Sequence, residues 1–198
     1  MQIVEVTGYA VRSAVITMRR RGTPLEFVIF PMLHVASPAF YSQVRLRLRE
    51  CDLVVIEGIR GKSARVSALT LAYRFAPRRR RNGLQEQREE LLLPGDATVI
   101  RPDVTAAEAI EDLAVEDLPS TPRAEMLADD PVGRALTGRR DRRLLDALGE
   151  IHAARGAEPI RVAVVYGAGH VPAIVSGLWN RFGYRPYEAE WLTVLVPA

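Results

Sequence analysis

The sequence predicts an α/β protein with a mostly parallel central sheet, helices on both faces, and some antiparallel strands at the N- and C-terminal edges. Short apolar runs without alternation are typical of strands that are buried on both faces. Three such runs are Phe27–Phe30, Leu53–Ile56 and Ile160–Tyr166. Segments with helical periodicity separate them, and this alternation of strands and helices favours parallel pairing.

In the first third of the chain, Ala14–Met18 and Glu26–Phe30 are predicted strands joined by a polar turn. Ser37 then precedes Pro38, which suits a helix N-cap followed by proline at the first helical position. Apolar residues at four-residue spacing extend this helix to about Glu50. The strand–helix–strand order predicts that the strands before and after this helix are parallel neighbours.

The rest of the chain continues the alternation. Five helices are predicted: Val66–Phe75, a stretch after Gly83 that runs through Leu93, Thr105–Leu113, Asp141–His152 and Pro172–Phe182. Strands are predicted over Ala97–Ile100 and Tyr184–Val196. Gly183 is the expected C-terminal stop of the helix before the last strand. We therefore expect residues 1–198 to form one α/β domain with a variable helical or loop insertion around residues 78–131.

The composition predicts a folded, cytoplasmic protein. Hydrophobic residues make up 48% and charged residues 26% of the chain, which disfavours disorder. No apolar run approaches the roughly 18 residues that a membrane helix needs, and the start lacks the layout of a secretory signal. Cys51 is the single cysteine, which excludes an internal disulfide and a zinc cage built from cysteines.

Charge is unevenly distributed. The segment Arg60–Glu90 carries nine basic and three acidic residues, for a net charge of +6, and Asp103–Asp130 carries nine acidic residues and one basic residue, for −8. We interpret the two segments as faces that attract one another, either within the chain or across a homo-oligomer. Arg78–Arg81 alternatively suit phosphate or nucleic acid, but without interleaved aromatic residues nucleic acid is disfavoured.

Three polar residues, His34, Glu57 and His170, each directly follow an apolar strand. Ligands of open parallel sheets bind beyond the carboxyl ends of the strands, so we expect these side chains at one edge. Two histidines and a carboxylate form a common set for a divalent metal (zinc, manganese, cobalt or iron). The alternative for each residue is structural, as a hydrogen-bonded loop residue or a helix cap. His152 lies within a predicted helix, where we expect a solvent-facing side chain.

Two other nucleotide-binding patterns fail. Gly61-Lys62-Ser63 resembles the end of a phosphate-binding loop, but Ile56 stands where the loop needs its first glycine. Gly167-x-Gly169 lacks the third glycine of a dinucleotide-binding loop. The two glycines beside His170 are instead expected to let the backbone approach a substrate closely.

These residues resemble the motifs of the TraB/TIKI/GumN superfamily, which includes relatives such as ChaN and the erythromycin esterases. That group has a Gly-x-x-His after a buried strand, a glutamate at the end of the next strand, and a second Gly-x-x-His near the C-terminus. The matching segments are Pro31-Met32-Leu33-His34, Glu57 in Val-Val-Ile-Glu-Gly-Ile-Arg, and Gly167-Ala168-Gly169-His170. Arg140 in Gly-Arg-Arg-Asp-Arg-Arg matches an arginine of the family's long helix, and Arg60 matches one that trails the glutamate. Pro31 departs from the family by replacing the first glycine.

The resemblance implies a metal-dependent hydrolase of the peptidase or esterase type. Its metal ligands would be His34, Glu57 and His170, and its substrate, a small molecule or peptide, would contact Arg60, Gly167 and Gly169. Arg140 would stabilise negative charge in the transition state, and Glu57 would act as a metal ligand or as a general base. Two alternatives remain open: a non-catalytic protein that binds haem, a metal or a small acidic molecule, and an interaction protein that recruits partners through its charged segments.

Overall fold

The computed structural model describes residues 2–58, 83–102 and 131–196, and for 131–137 it describes the helical backbone only. Its strands are β1 (Val4–Val6), β2 (Val11–Arg20), β3 (Thr23–Met32), β4 (Val35–Ala36), β5 (Leu53–Ile56), β6 (Gln85–Glu86), β7 (Val99–Ile100), β8 (Arg161–Gly167) and β9 (Arg185–Leu195). Its helices are α1 (Pro38–Leu48), α2 (Glu89–Leu92), α3 (Pro131–Arg155) and α4 (Val171–Phe182), with a 3-10 turn over Ala168–His170.

Seven of these strands form one mixed sheet, in the order β1-β2-β3-β8-β5-β7 with β9 paired to β2. The pairs β3–β8, β8–β5 and β5–β7 are parallel. The pairs that β2 makes with β1, β3 and β9 are antiparallel. This confirms the predicted α/β class, with parallel strands at the centre and antiparallel strands towards the N- and C-terminal edge.

Helices cover both faces of the sheet. On one face α3 and α4 pack with residues such as Leu148, Ile174 and Leu178 against β2, β3 and β8. On the other face α1 and α2 bury Phe40, Leu48 and their neighbours. Because β8 is packed on both sides, its residues Val162–Val165 are fully buried, which explains its unbroken apolar sequence.

The expectation that the strands flanking α1 are neighbours is wrong. β8 lies between β3 and β5, with Phe30 and Ile56 both paired to Val165. Sequential strands are often adjacent. Here β8, which is buried on both faces, makes parallel pairs with both β3 and β5 and separates them. The predicted parallel direction of β3 and β5 is confirmed.

Several local predictions are confirmed. The Ser37 hydroxyl accepts a hydrogen bond from the Phe40 amide at 3.2 Å, and thereby caps α1. Gly183 ends α4 in the left-handed conformation at φ 75°, as expected for a C-terminal stop. Gly22 forms the turn between β2 and β3 with φ 78°.

Other predictions fall outside the described residues or need correction. The helices predicted over Val66–Phe75 and Thr105–Leu113, the Arg78–Arg81 run and the acidic segment Asp103–Asp130 lie outside the described ranges. Within 83–102, the helix predicted through Leu93 is limited to the single turn of α2. This part of the expected insertion contributes β7 to the main sheet and Leu92 to the core.

The side chain of His152 is half-buried, contrary to the solvent-facing position that we expected. Its Nδ1 lies 3.0 Å from the hydroxyl of buried Tyr184, and its Nε2 lies 2.9 Å from Arg20 Nη1. Burial and the adjacent Arg20 charge lower the pKa of His152, and its neutral form joins the end of α3 to Arg20 of β2 and to Tyr184, which directly precedes β9.

None of the helices in the described ranges combines the length and the apolar character that a membrane span requires.

Two glycines allow α3 and α4 to pack closely. A Cβ atom at Gly177 of α4 would lie 2.9 Å from Leu145 Cγ, and one at Gly149 of α3 would lie 2.8 Å from Phe182 Cζ. Each helix therefore receives a large side chain of the other where a glycine leaves room. This contact fixes the distance of α3 from α4.

Gly177→Ala should lower the free energy of unfolding by about 1–3 kcal/mol, because the added methyl group displaces Leu145 within a packed interface. The matched control is Gly138→Ala in α3, where an added Cβ meets nothing within 4 Å. The control should be neutral or stabilising by up to about 1 kcal/mol, because alanine favours a helical backbone more than glycine does. Urea unfolding of both variants measures the difference, and equal stabilities would contradict this packing.

Candidate functional site

The carboxyl ends of β3, β5 and β8 lie at one edge of the sheet, because these three strands are parallel. Glu57 follows β5 directly, and Gly167 is the last residue of β8. His170 lies three residues further, in the turn that leads into α4. The expected common edge is therefore present, and it brings Glu57 and His170 together.

Glu57 is held through both carboxylate oxygens. Its Oε2 accepts a hydrogen bond from the Gly167 amide at 2.7 Å. Its Oε1 accepts one from Arg140 Nη2 at 2.6 Å and lies 3.6 Å from His170 Nε2. The Arg140 and Glu57 side chains are only 16% and 18% exposed, so little solvent screens the ion pair.

Asp141 holds the His170 imidazole through its Nδ1 atom. This Nδ1 lies 2.6 Å from Asp141 Oδ1, and the imidazole stands edge-on to the ring of Tyr166 at 5.8 Å. The residue is 6% exposed. A carboxylate on Nδ1 fixes the orientation of the ring and directs Nε2 towards Glu57.

We call Glu57, Arg140, Asp141 and His170 the charge network. Burial opposes the charged form of His170, but Asp141 and Glu57 outweigh it and raise the pKa of His170 to about 9. Burial likewise opposes ionisation of Glu57. The facing His170, the Arg140 charge and the Gly167 amide together hold the pKa of Glu57 well below its usual range. At neutral pH the network alternates two cations with two carboxylates.

The helix α3 supplies two consecutive members of this network, Arg140 and Asp141. The motif resemblance predicts Arg140 as a site residue but assigns no role to Asp141 beside it. The available signal was an acidic residue inside a run of arginines, Gly138-Arg139-Arg140-Asp141-Arg142-Arg143. An acidic side chain among so many basic ones suits pairing with one specific cation.

Gly167 contributes to the network through its backbone. A Cβ atom there would lie 3.2 Å from Glu57 Oε2, so a side chain would push against the carboxylate that the amide binds. Gly169 is exposed, and a Cβ atom at its position would meet nothing within 4 Å. Of the two glycines, only Gly167 is therefore required by the packing of the site.

His34 does not join this group. Its side chain is exposed, and its carbonyl oxygen accepts a hydrogen bond from the Gln87 amide at 2.8 Å where β4 and β6 begin to pair. Pro31 is buried inside β3, and its carbonyl accepts a 2.7 Å hydrogen bond from the Ser13 hydroxyl. Arg60 lies outside the described residues.

The charge network as arranged does not fit a divalent cation. Within the described ranges, no three His, Cys, Asp or Glu side chains are grouped so that they could hold a metal ion. More directly, the Arg140 guanidinium donates to Glu57 Oε1 and holds a positive charge beside it. A second cation would have to approach Glu57 beside the guanidinium, against their mutual repulsion.

Two cavities are lined by residues outside the charge network. One, of about 320 Å³, is lined by Ile3, Pro172, Val175, Ser176, Trp179 and Asn180. The other, of about 390 Å³, has an apolar floor that includes Val28 and Phe30 and a charged rim that includes Arg47 and Glu190. The Arg47–Glu190 and Arg161–Glu50 ion pairs close the rim of the second cavity.

Comparison of the chain with protein-family models, with curated proteins and with solved structures finds no match. The resemblance to the TraB/TIKI/GumN superfamily therefore stays a prediction that rests on the motif residues. The geometry of the charge network is the basis on which a function can be inferred.

The stability of the protein should depend on the charge of His170. Because its folded pKa of about 9 lies above the ordinary value of 6.5, the stabilisation is complete below about pH 6.5 and is lost as the pH rises through 9. The loss should be roughly 3 kcal/mol. Glu57, whose folded pKa is lowered, stabilises the fold above about pH 4.5 and ceases to do so only in stronger acid.

Urea unfolding between pH 6 and pH 10 measures this dependence, with His170→Gln as the comparison. The wild type should lose stability over this range, and the variant should show a flatter profile. Parallel profiles for the two proteins would contradict a protonated His170 in the network.

Proposed function

We propose that this chain is a hydrolase of small ester or peptide substrates in which Glu57 and His170 act as an acid–base pair. The observation that carries the proposal is the position of a half-buried carboxylate and a buried imidazole 3.6 Å apart at the carboxyl edge of a parallel sheet. That separation exceeds a hydrogen bond, and one water or substrate oxygen can contact both groups.

Each member of the charge network has a role in this proposal. Glu57 orients the attacking water and accepts its proton, and His170 gives its Nε2 proton to the leaving group. Asp141 holds the imidazole in the orientation that donation requires. Arg140 stabilises the negative charge that develops on the tetrahedral intermediate.

The ion pair between Arg140 and Glu57 adjusts the strength of the base. While Arg140 donates to Glu57 Oε1, the carboxylate is a weak base, because the adjacent cation favours its ionised form. When a substrate oxygen accepts the hydrogen bond of Arg140 in place of Glu57, the guanidinium no longer stabilises the ionised carboxylate. Binding of the substrate thus raises the basicity of Glu57 at the moment when a base is needed.

The family resemblance predicts that this activity depends on a metal ion, with His34, Glu57 and His170 as its ligands. No step of the proposed mechanism passes through a metal ion, since Arg140 already places a positive charge on Glu57 Oε1. Of the predicted substrate contacts, Gly169 offers exposed backbone next to His170. Contacts from Gly167 and Arg60 remain predictions.

A second candidate is a protein that binds a ligand at this site without turnover. The observation that favours it is that both Glu57 oxygens and His170 Nδ1 already have a hydrogen-bond partner within the protein. Haem, a metal or a small acidic molecule is the ligand class that the sequence leads us to expect. Saturable binding without product formation would separate this candidate from the hydrolase.

Glu57→Gln should lower kcat for hydrolysis of nitrophenyl esters or short peptides by about 10²–10⁴-fold, because the amide cannot accept the proton of water. The matched control is Glu150→Gln, which makes the same change on an exposed position of α3 and should retain wild-type activity. Release of chromophore or amine, assayed with and without a chelator, gives the rates. Equal turnover by wild type and Glu57→Gln would rule out the acid–base pair.

A further inference from the structure

The distance between Glu57 Oε1 and His170 Nε2 is close to the distance between two ligand atoms of one metal ion. The two atoms are 3.6 Å apart. Two ligand atoms that each lie roughly 2.1 Å from one tetrahedral metal ion are about 3.4 Å from one another. Asp141 on His170 Nδ1 matches the outer carboxylate that metal-bound histidines commonly have.

Arg140 occupies the cation position of this arrangement. Its Nη2 donates to the same Oε1 of Glu57 at 2.6 Å, from a side chain that is 16% exposed. A guanidinium group stays charged at any pH at which the protein is folded. A divalent ion bound between Glu57 and His170 would lie within a few ångströms of that charge, with little water between them.

We propose that Arg140 is the resident cation of the charge network, that it excludes divalent metal ions from Glu57 and His170, and that loss of its charge converts the network into a metal site. In that site Glu57 and His170 are ligands, and Asp141 orients His170. Imidazole and carboxylate ligands suit several divalent metals, including zinc, manganese, cobalt and iron, and zinc serves here as the probe. This inference goes beyond the proposed hydrolysis and does not depend on it.

The test compares zinc binding by wild type, Arg140→Met and Arg142→Met. Arg140→Met removes the charge and keeps most of the side-chain length. Arg142→Met removes the same charge from the same helix at an exposed position, where Arg142 donates only to the Gly138 carbonyl among the described residues. Each purified protein is dialysed against zinc, desalted and examined by elemental mass spectrometry, and its affinity is measured by isothermal titration calorimetry.

Wild type and Arg142→Met should retain no stoichiometric zinc, whereas Arg140→Met should bind one ion per chain at least about tenfold more tightly. Adding His170→Ala to Arg140→Met should abolish the gain. Adding Asp141→Ala should weaken it by about 10–100-fold, which is the usual effect of removing the carboxylate behind a histidine ligand.

Two results would overturn the proposal: one zinc ion per wild-type chain that disappears in His170→Ala, or an Arg140→Met protein that binds zinc no better than Arg142→Met. If Arg140→Met fails to fold, Arg140→Gln provides a second uncharged variant, and the wild-type measurement, which needs no substitution, can still overturn the exclusion of zinc. Because no substrate is present, the result is independent of whether the chain hydrolyses esters or peptides.

Discussion

Arg140 and Asp141 are consecutive residues of one helix, and each neutralises the opposite charge at the edge of the sheet. Arg140 pairs with Glu57, and Asp141 pairs with His170. These contacts tie α3 to the ends of β5 and β8. Removal of any one member takes an opposite charge away from a largely buried partner, and breaking a buried pair in this way typically destabilises a protein by about 3–5 kcal/mol. The protonation states of Glu57 and His170, and therefore any chemistry of this site, depend on where α3 is held.

The fold positions α3 by packing. Gly149 and Gly177 let α3 and α4 approach until Phe182 and Leu145 fill the space that a side chain would otherwise take. At the other end of α3, His152 reaches Tyr184 and Arg20, which joins the helix to the antiparallel part of the sheet. The charge network and the packed glycines are therefore parts of one arrangement. A change that moves α3 by a fraction of an ångström alters both ion pairs of the network.

The fold class and much of the site can be predicted from the sequence because strongly local signals carry them. Unbroken apolar runs identify β3, β5 and β8, and a polar residue after each run predicts the edge where Glu57 and His170 meet. Strand order cannot be predicted in this way, because the insertion of β8 between β3 and β5 is decided by burial over the whole sheet. The role of Asp141 escapes prediction for a related reason. Its partner is 29 residues away in sequence, and an acidic residue inside a run of arginines does not by itself identify that partner.

The alternating charges of the site require His170 to be a buried imidazolium whose two nitrogens face Asp141 and Glu57 at neutral pH. The most direct measurement is the imidazole ¹⁵N chemical shifts of the labelled protein by nuclear magnetic resonance, with His170→Gln used to assign the signal among His34, His152 and His170. We predict that both His170 nitrogens carry protons at pH 7.5 and that the residue titrates with a pKa of about 9. A neutral His170 that titrates at its ordinary value of 6.5 would contradict the alternating charges on which the site is built.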